Sequence, residues 1–104
     1  MHASLHTALC DLCGIDVPIV QTGMGWVATA PLVAATAKAG ALGILAAATM
    51  DYDEMVGEIR AVKELTDRPF AVNLRSDAPD APERCDALIR EGVKVASFAL
   101  APKE

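Results

Sequence analysis

The sequence predicts an α/β fold built on a parallel sheet, and three features carry that expectation. Four short apolar runs, Val17–Gln21, Ala41–Leu45, Pro69–Asn73 and Val93–Ser97, recur at intervals of about 25 residues, the length of one strand-plus-helix unit. The stretches between them carry helix starts, helix stops and helical periodicity. The chain is 53% hydrophobic with a mean hydropathy of +0.32, which suits strands buried on both faces rather than alternating ones.

The elements follow in order. Ser4 to Cys13 reads as a leading helix, with Ser4 as N-cap and Gly14 just past its end. Ile15 and Asp16 lead into strand one, Val17–Gln21, and a glycine-bearing loop follows. Pro31 occupies a first-turn position, so the next helix covers Leu32–Ala39 and stops at Gly40. Strand two is Leu42–Ala46. The alanines before Met50 are assigned to a loop, because Asp51 and Glu54 form a capping-box-like start. The helix Tyr52–Leu65 then buries Met55, Ile59, Val62 and Leu65 and turns Glu58, Arg60, Lys63 and Glu64 to water. Thr66–Pro69 breaks it and opens strand three, Pro69–Asn73. Arg75–Pro82 is a polar loop with two prolines. Pro82–Glu91 is a helix with Leu88 and Ile89 inward and Gly92 as its stop, and strand four runs Val93–Phe98. Residues 1–104 form one domain.

Charge and composition narrow the partners. The net charge of −5 and pI near 4.9 leave no Lys/Arg cluster to displace counterions from a nucleic-acid backbone. The longest apolar stretch, Ala39–Met50, is too short to span a bilayer. The first residues lack the apolar core of a secretory signal, and three cysteines without framework spacing fit a reducing compartment, so the expectation is a cytoplasmic protein.

Parallel α/β sheets gather ligand contacts at the C-terminal ends of their strands. Those ends hold Gln21, Thr22, Gly23, Met24 and Gly25, then Ala46–Thr49, Asn73–Arg75 and Ser97–Phe98. Glycines there either bring backbone N–H groups against a ring or phosphate or serve a tight turn. Asn73 offers an amide that both donates and accepts, or else caps its loop. Trp26 either walls a pocket or packs over the loop. Arg75 is expected to be a solvated loop cation. Ser97 has no histidine nearby in sequence, so a hydrolytic triad is not expected. His2, His6, Cys10 and Cys13 share one helix side, yet each turn rises about 5.4 Å, so the four cannot share one tetrahedral ion. Cys10 and Cys13 are read as packing residues and Cys85 as a small buried one.

The motifs carry a resemblance. Asp16–Gly25 (DVPIVQTGMG) is similar to the opening of the nitronate monooxygenase (2-nitropropane dioxygenase-like) flavoproteins. Ala39–Leu45 (AGALGIL) resembles that family's second strand, Leu65–Leu74 (LTDRPFAVNL) its third and Glu91–Phe98 (EGVKVASF) its fourth. Gln21–Trp26 and Val93–Lys103 look closest to the actinobacterial branch that includes a flavin-dependent hydroxylase of steroid-ring breakdown.

The resemblance implies the N-terminal half, about four βα units, of a TIM-type (β/α)8 barrel with a leading helix. It implies an oxidoreductase that binds FMN non-covalently and oxidises nitronates or runs related hydroxylation or enoyl reduction. Thr22, Gly23, Met24, Gly25 and Asn73 map to the family's flavin-contacting positions, and Trp26 stands where a substrate pocket would have a wall. Gly23 replaces the proline that many members carry before the methionine. The catalytic residue and the turns for the flavin phosphate are expected beyond the fourth strand. Half a barrel has two open edges. The expectation is therefore a fragment inactive alone, completed by the missing half or by a second copy. A noncatalytic half-barrel binding module and a small doubly wound domain are the alternatives.

Overall fold

The computed structural model describes residues 6–99. Nine elements alternate along it: helix α1 (Ala8–Cys13), strand β1 (Val20–Gln21), α2 (Ala30–Lys38), β2 (Leu42–Leu45), a 3-10 turn (Ala47–Thr49), α3 (Tyr52–Leu65), β3 (Ala71–Leu74), α4 (Ala81–Arg90) and β4 (Val95–Phe98). The strands form one sheet in the order β1-β2-β3-β4, and every neighbouring pair is parallel. A doubly wound sheet requires a reversal of strand order, and this one has none. Sequential parallel strands with helices between them are the first half of a (β/α)8 barrel, as the resemblance implied.

The strands are shorter than the sequence suggested, for identifiable reasons. Pro18 and Pro69 have no N–H to donate, so the ladders of β1 and β3 begin only beyond them. The Val93 N–H is taken by the Leu88 carbonyl at 2.9 Å in the closing turn of α4, which delays β4 to Val95. Ser4, the expected N-cap, and His2 lie outside the described residues; His6 and Thr7 are not helical, so the leading helix begins later than the sequence suggested, at Ala8 with Thr7 at the N-cap position. Gly14 ends it in the left-handed region at φ 72°, as a residue without Cβ readily does. Helix α3 has the bounds expected of it, and the Asp51 carboxylate accepts from the Glu54 N–H at 2.8 Å.

The sheet divides the apolar residues into two clusters by strand alternation. On one face Leu45, Val72 and Leu74 pack with Val33 and Ala34 of α2, Met55, Ile59 and Val62 of α3, and Ala87 and Leu88 of α4. On the other, Leu42, Ile44 and Ala71 meet Cys10, Cys13 and Ile15. The leading helix therefore packs on the face opposite the three repeat helices, and Cys10 and Cys13 are packing residues as read.

Four side chains depart from expectation. Ile89 is 77% exposed, because the buried stripe of α4 runs through Ala81, Arg84, Ala87 and Leu88 and leaves the next position outside it. Leu65, in the last turn of α3, is half-exposed. Glu58 does not simply face water: its carboxylate accepts from the Ala30 N–H at 3.3 Å, meeting an otherwise orphaned donor at the N-terminus of α2. Cys85 is only half-buried.

Helix α2 lies unusually close to β2. A Cβ on Gly43 would stand 2.7 Å from the Val33 carbonyl oxygen and 3.0 Å from its Cα. Only glycine allows the helix backbone to sit there. Gly43→Ala is expected to destabilise the fold by about 1–3 kcal/mol through overpacking, read as a lower urea midpoint.

The ends of α3 and α4 are tied by charge. Glu91 accepts from Arg60 at 3.3 and 3.4 Å, with Lys63 at 3.5 Å and Arg90 at 3.8 Å. The Arg60 hydrogen bond, then the Arg60 and Lys63 charges, hold the Glu91 carboxyl below the usual carboxylate range. A depressed folded-state pKa stabilises above the unfolded value, and that contribution disappears as pH falls through the folded one. Glu91→Gln should therefore flatten the loss of stability between about pH 5 and about pH 3, measured as urea midpoints across that range.

Candidate functional site

The C-terminal ends of the four strands converge on one edge of the molecule, and the segment after β1 crosses them. Gly23 lies over β2 and β3: a Cβ there would be 3.1 Å from the Asn73 Cβ and 3.6 Å from the Ala46 Cα. Gly25 lies on the turn after β2, where a Cβ would meet the Thr49 Cγ2 at 3.0 Å. The two glycines thus press backbone against neighbouring strand ends. The segment closes on itself through the Met24 carbonyl, which accepts from the N–H groups of Val27 at 3.0 Å and Ala28 at 2.8 Å. Ala28, fully buried, returns its carbonyl to the Ala46 N–H at 3.0 Å and anchors the loop to the end of β2.

Asn73 and Ser97 are register partners on β3 and β4. The half-buried Asn73 amide donates through Nδ2 to the Ser97 carbonyl at 3.3 Å, which fixes the amide plane and leaves Oδ1 as an acceptor. Met24 is half-exposed in the loop. The structure brings Gly23 against Asn73, with Thr22, Met24 and Gly25 adjoining Gly23 along the loop.

Trp26 does not pack over the loop. It is 83% exposed and holds a positive φ of 62°, uncommon for a residue with a Cβ. Its ring borders a groove of about 520 Å³ shared with Thr29, Thr49, Met50, Glu54 and Glu58. Arg75 donates through two nitrogens to the two Asp77 carboxylate oxygens at 2.9 and 2.9 Å and is half-exposed, a solvated loop cation as expected. The Arg75 hydrogen bond holds the Asp77 carboxyl below its ordinary range. His6 bonds Asp11 of α1 at 2.6 Å. Among the described residues, no cluster of three or more His, Cys, Asp or Glu side chains has metal-binding geometry.

Two residues that matter here were not singled out from the sequence. Arg84 is buried on the apolar face of α4. Its guanidinium donates to the Ala47 carbonyl at 2.9 Å, the Met50 carbonyl at 2.6 Å and the Asp80 carboxylate at 2.9 Å. It thereby ties together the turn after β2 on which Gly25 rests. Its signal is an arginine at an inward helix position, four residues after an aspartate.

Gln21 is the second. Its Nε2 donates to the Thr22 carbonyl at 2.5 Å and to the Ile44 carbonyl at 3.2 Å. Both neighbours are acceptors, so the amide nitrogen must face them and the oxygen must face away. That oxygen is buried without a partner, alone in this respect among the described side chains. An unmet buried acceptor costs about 1–3 kcal/mol.

No helix among the described residues is long and apolar enough to cross a membrane.

Comparison with known proteins agrees with this geometry. The family profile described as nitronate monooxygenase matches residues 6–103. The chain is 63% identical, over 98% of its length, to a (3aS,4S,5R,7aS)-5-hydroxy-7a-methyl-1-oxo-octahydro-1H-indene-4-carboxyl-CoA dehydrogenase of Rhodococcus jostii. It spans 29% of that protein. A nitronate monooxygenase of Paraburkholderia phytofirmans is 43% identical over 69% of the chain, which covers 20% of it. Among solved structures, FabK from Thermotoga maritima superposes with a TM-score of 0.87 at 35% identity, over 92% of this chain and 31% of that one. Nitroalkane oxidase from Streptomyces ansochromogenes superposes with a TM-score of 0.75 at 32% identity, over 88% and 36%.

Arg84→Met keeps much of the side-chain bulk and removes every guanidinium bond. It is expected to cost about 2–4 kcal/mol, since two loop carbonyls lose a charged donor. Thermal unfolding followed by circular dichroism reads the loss, and an unchanged midpoint would remove Arg84 from this role.

Proposed function

The chain belongs to the nitronate monooxygenase family, a family of oxidoreductases, and on that premise we propose that it supplies the FMN-binding N-terminal half of a (β/α)8 oxidoreductase barrel. The carrying observation is the glycine loop laid across the ends of β2 and β3, with Gly23 pressed on Asn73. Missing Cβ atoms at Gly23 and Gly25 let the loop lie flat on Asn73 and Thr49, and this carries its peptide backbone across the strand ends where a ring would bind. These residues fit a flavin edge.

In this reading the backbone N–H groups of Thr22–Gly25 and the Asn73 amide orient the ring. Met24 supplies a polarisable apolar contact. Ser97 and Arg84 act through others: the first fixes the Asn73 amide and the second holds the turn under Gly25. Bound FMN supplies the electron transfer that none of these side chains can perform. Trp26, exposed at the end of the glycine loop, would wall the approach of a small-molecule substrate. The residue that moves a proton, and the turns that hold the phosphate, belong to strands five to eight of such a barrel. The open edges at β1, where Ile19 is 61% exposed, and at β4 are where those strands, or a second copy, would add.

Identity favours one substrate class over the family name. The 63% match is to a dehydrogenase of a bicyclic acyl-CoA, against 43% to a nitronate monooxygenase. A ring-bearing acyl-CoA thioester is therefore the preferred substrate of the whole enzyme, ahead of a nitronate or an enoyl thioester.

The test is titration of FMN into the purified 104-residue chain, followed by flavin fluorescence with size exclusion alongside. Saturable micromolar binding is expected, weakened about tenfold by Asn73→Ala and by Gly23→Val, with no turnover of nitronate or acyl-CoA by the chain alone. A stable, soluble oligomer that binds no FMN would replace this reading with a noncatalytic half-barrel module.

A further inference from the structure

We propose that Gln21 is a flavin-binding residue: its side-chain oxygen accepts a hydrogen bond from a donor on the bound cofactor. The inference rests on the FMN reading above and extends it to a residue outside the glycine loop and Asn73. Three observations lead to it. Gln21 ends β1, directly before Thr22, so it stands at the strand end where the site is built. Its amide orientation is dictated by two carbonyls, those of Thr22 and Ile44, which only the nitrogen can satisfy. The remaining Oε1 is buried and unpartnered among the described residues. A buried acceptor without a donor is rare in folded proteins and marks a place where something else supplies one.

Oε1 has no open surface, so a donor reaches it only when the neighbouring loop shifts. Gln21 itself bonds that loop through Thr22. Cofactor entry and movement of Thr22–Gly25 are consequently one event, and the same side chain holds the loop before binding and the ligand after it. Oxidised flavin offers two kinds of donor: the single ring N–H at N3 and the ribityl hydroxyls.

The experiment compares the parent chain with Gln21→Met by fluorescence titration of three probes: FMN, N3-methyl-FMN and lumiflavin, which lacks the ribityl chain. Circular dichroism confirms that the variant folds, and Gln21→Asn replaces it if it does not. FMN binding is expected to weaken about tenfold in the variant. If N3–H is the donor, that penalty disappears with N3-methyl-FMN and persists with lumiflavin. If a ribityl hydroxyl is the donor, the pattern is reversed. Equal weakening with all three probes would assign Gln21 to loop support alone and overturn the proposal, as would unchanged FMN affinity. Failure of the parent chain to bind FMN would instead overturn the flavin reading, and this inference with it.

Discussion

The close seat of α2 on β2 is the constraint from which the rest of the molecule follows. Because Gly43 has no side chain, the Val33 backbone can lie where a Cβ would be 2.7 Å from its carbonyl oxygen. That depth places Ala28, just ahead of the helix, and Ala30, its first residue, in the interior. Ala28 then reaches the Ala46 N–H, and the segment between β1 and α2 has nowhere to run except across the strand ends. The candidate site is thus a consequence of helix–sheet packing, with the loop glycines permitting a path that the packing imposes.

A second tier of contacts holds this arrangement from outside the loop. Arg84 reaches from α4 to two carbonyls in the turn after β2, and Glu58 reaches from α3 to the first N–H of α2. In both cases a charged side chain satisfies backbone groups that the secondary structure leaves over. Helix α4 therefore contributes to the position of the turn after β2, and α3 to that of the start of α2. The two apolar clusters on opposite faces of the sheet make the layer rigid enough for such small contacts to matter.

A parallel sheet ordinarily has both faces covered. Here the repeat helices cover one face and α1 occupies part of the other, through Cys10, Cys13 and Ile15. The strand ends with Gly23 and Asn73 lie beyond that cover. In (β/α)8 barrels in general, the bottom face serves stability and the strand-end rim carries the active site. The chain covers 29% of the dehydrogenase of Rhodococcus jostii, and β1 and β4 are the outer strands of the sheet among the described residues.

Much of this was legible in the residues themselves. The α/β class, the parallel strands and the bounds of α3 followed from local signals, namely apolar runs, a capping aspartate and glycine stops. Local geometry suffices to encode those. The grouping of Thr22–Gly25 with Asn73 was also legible, because strand ends in a parallel sheet must share an edge. What the tertiary structure alone decided were contacts between residues distant in sequence. Nothing local says that Arg84 turns inward to Ala47 and Met50, that Glu58 caps α2, or that Trp26 points to solvent. Nor does it say that Gln21 spends both amide hydrogens on carbonyls and strands its oxygen. Strand lengths were likewise set by which N–H groups remained free after the turns had closed. Propensity fixes the elements, but hydrogen-bond satisfaction is a sum over the whole fold, and only the folded chain completes it.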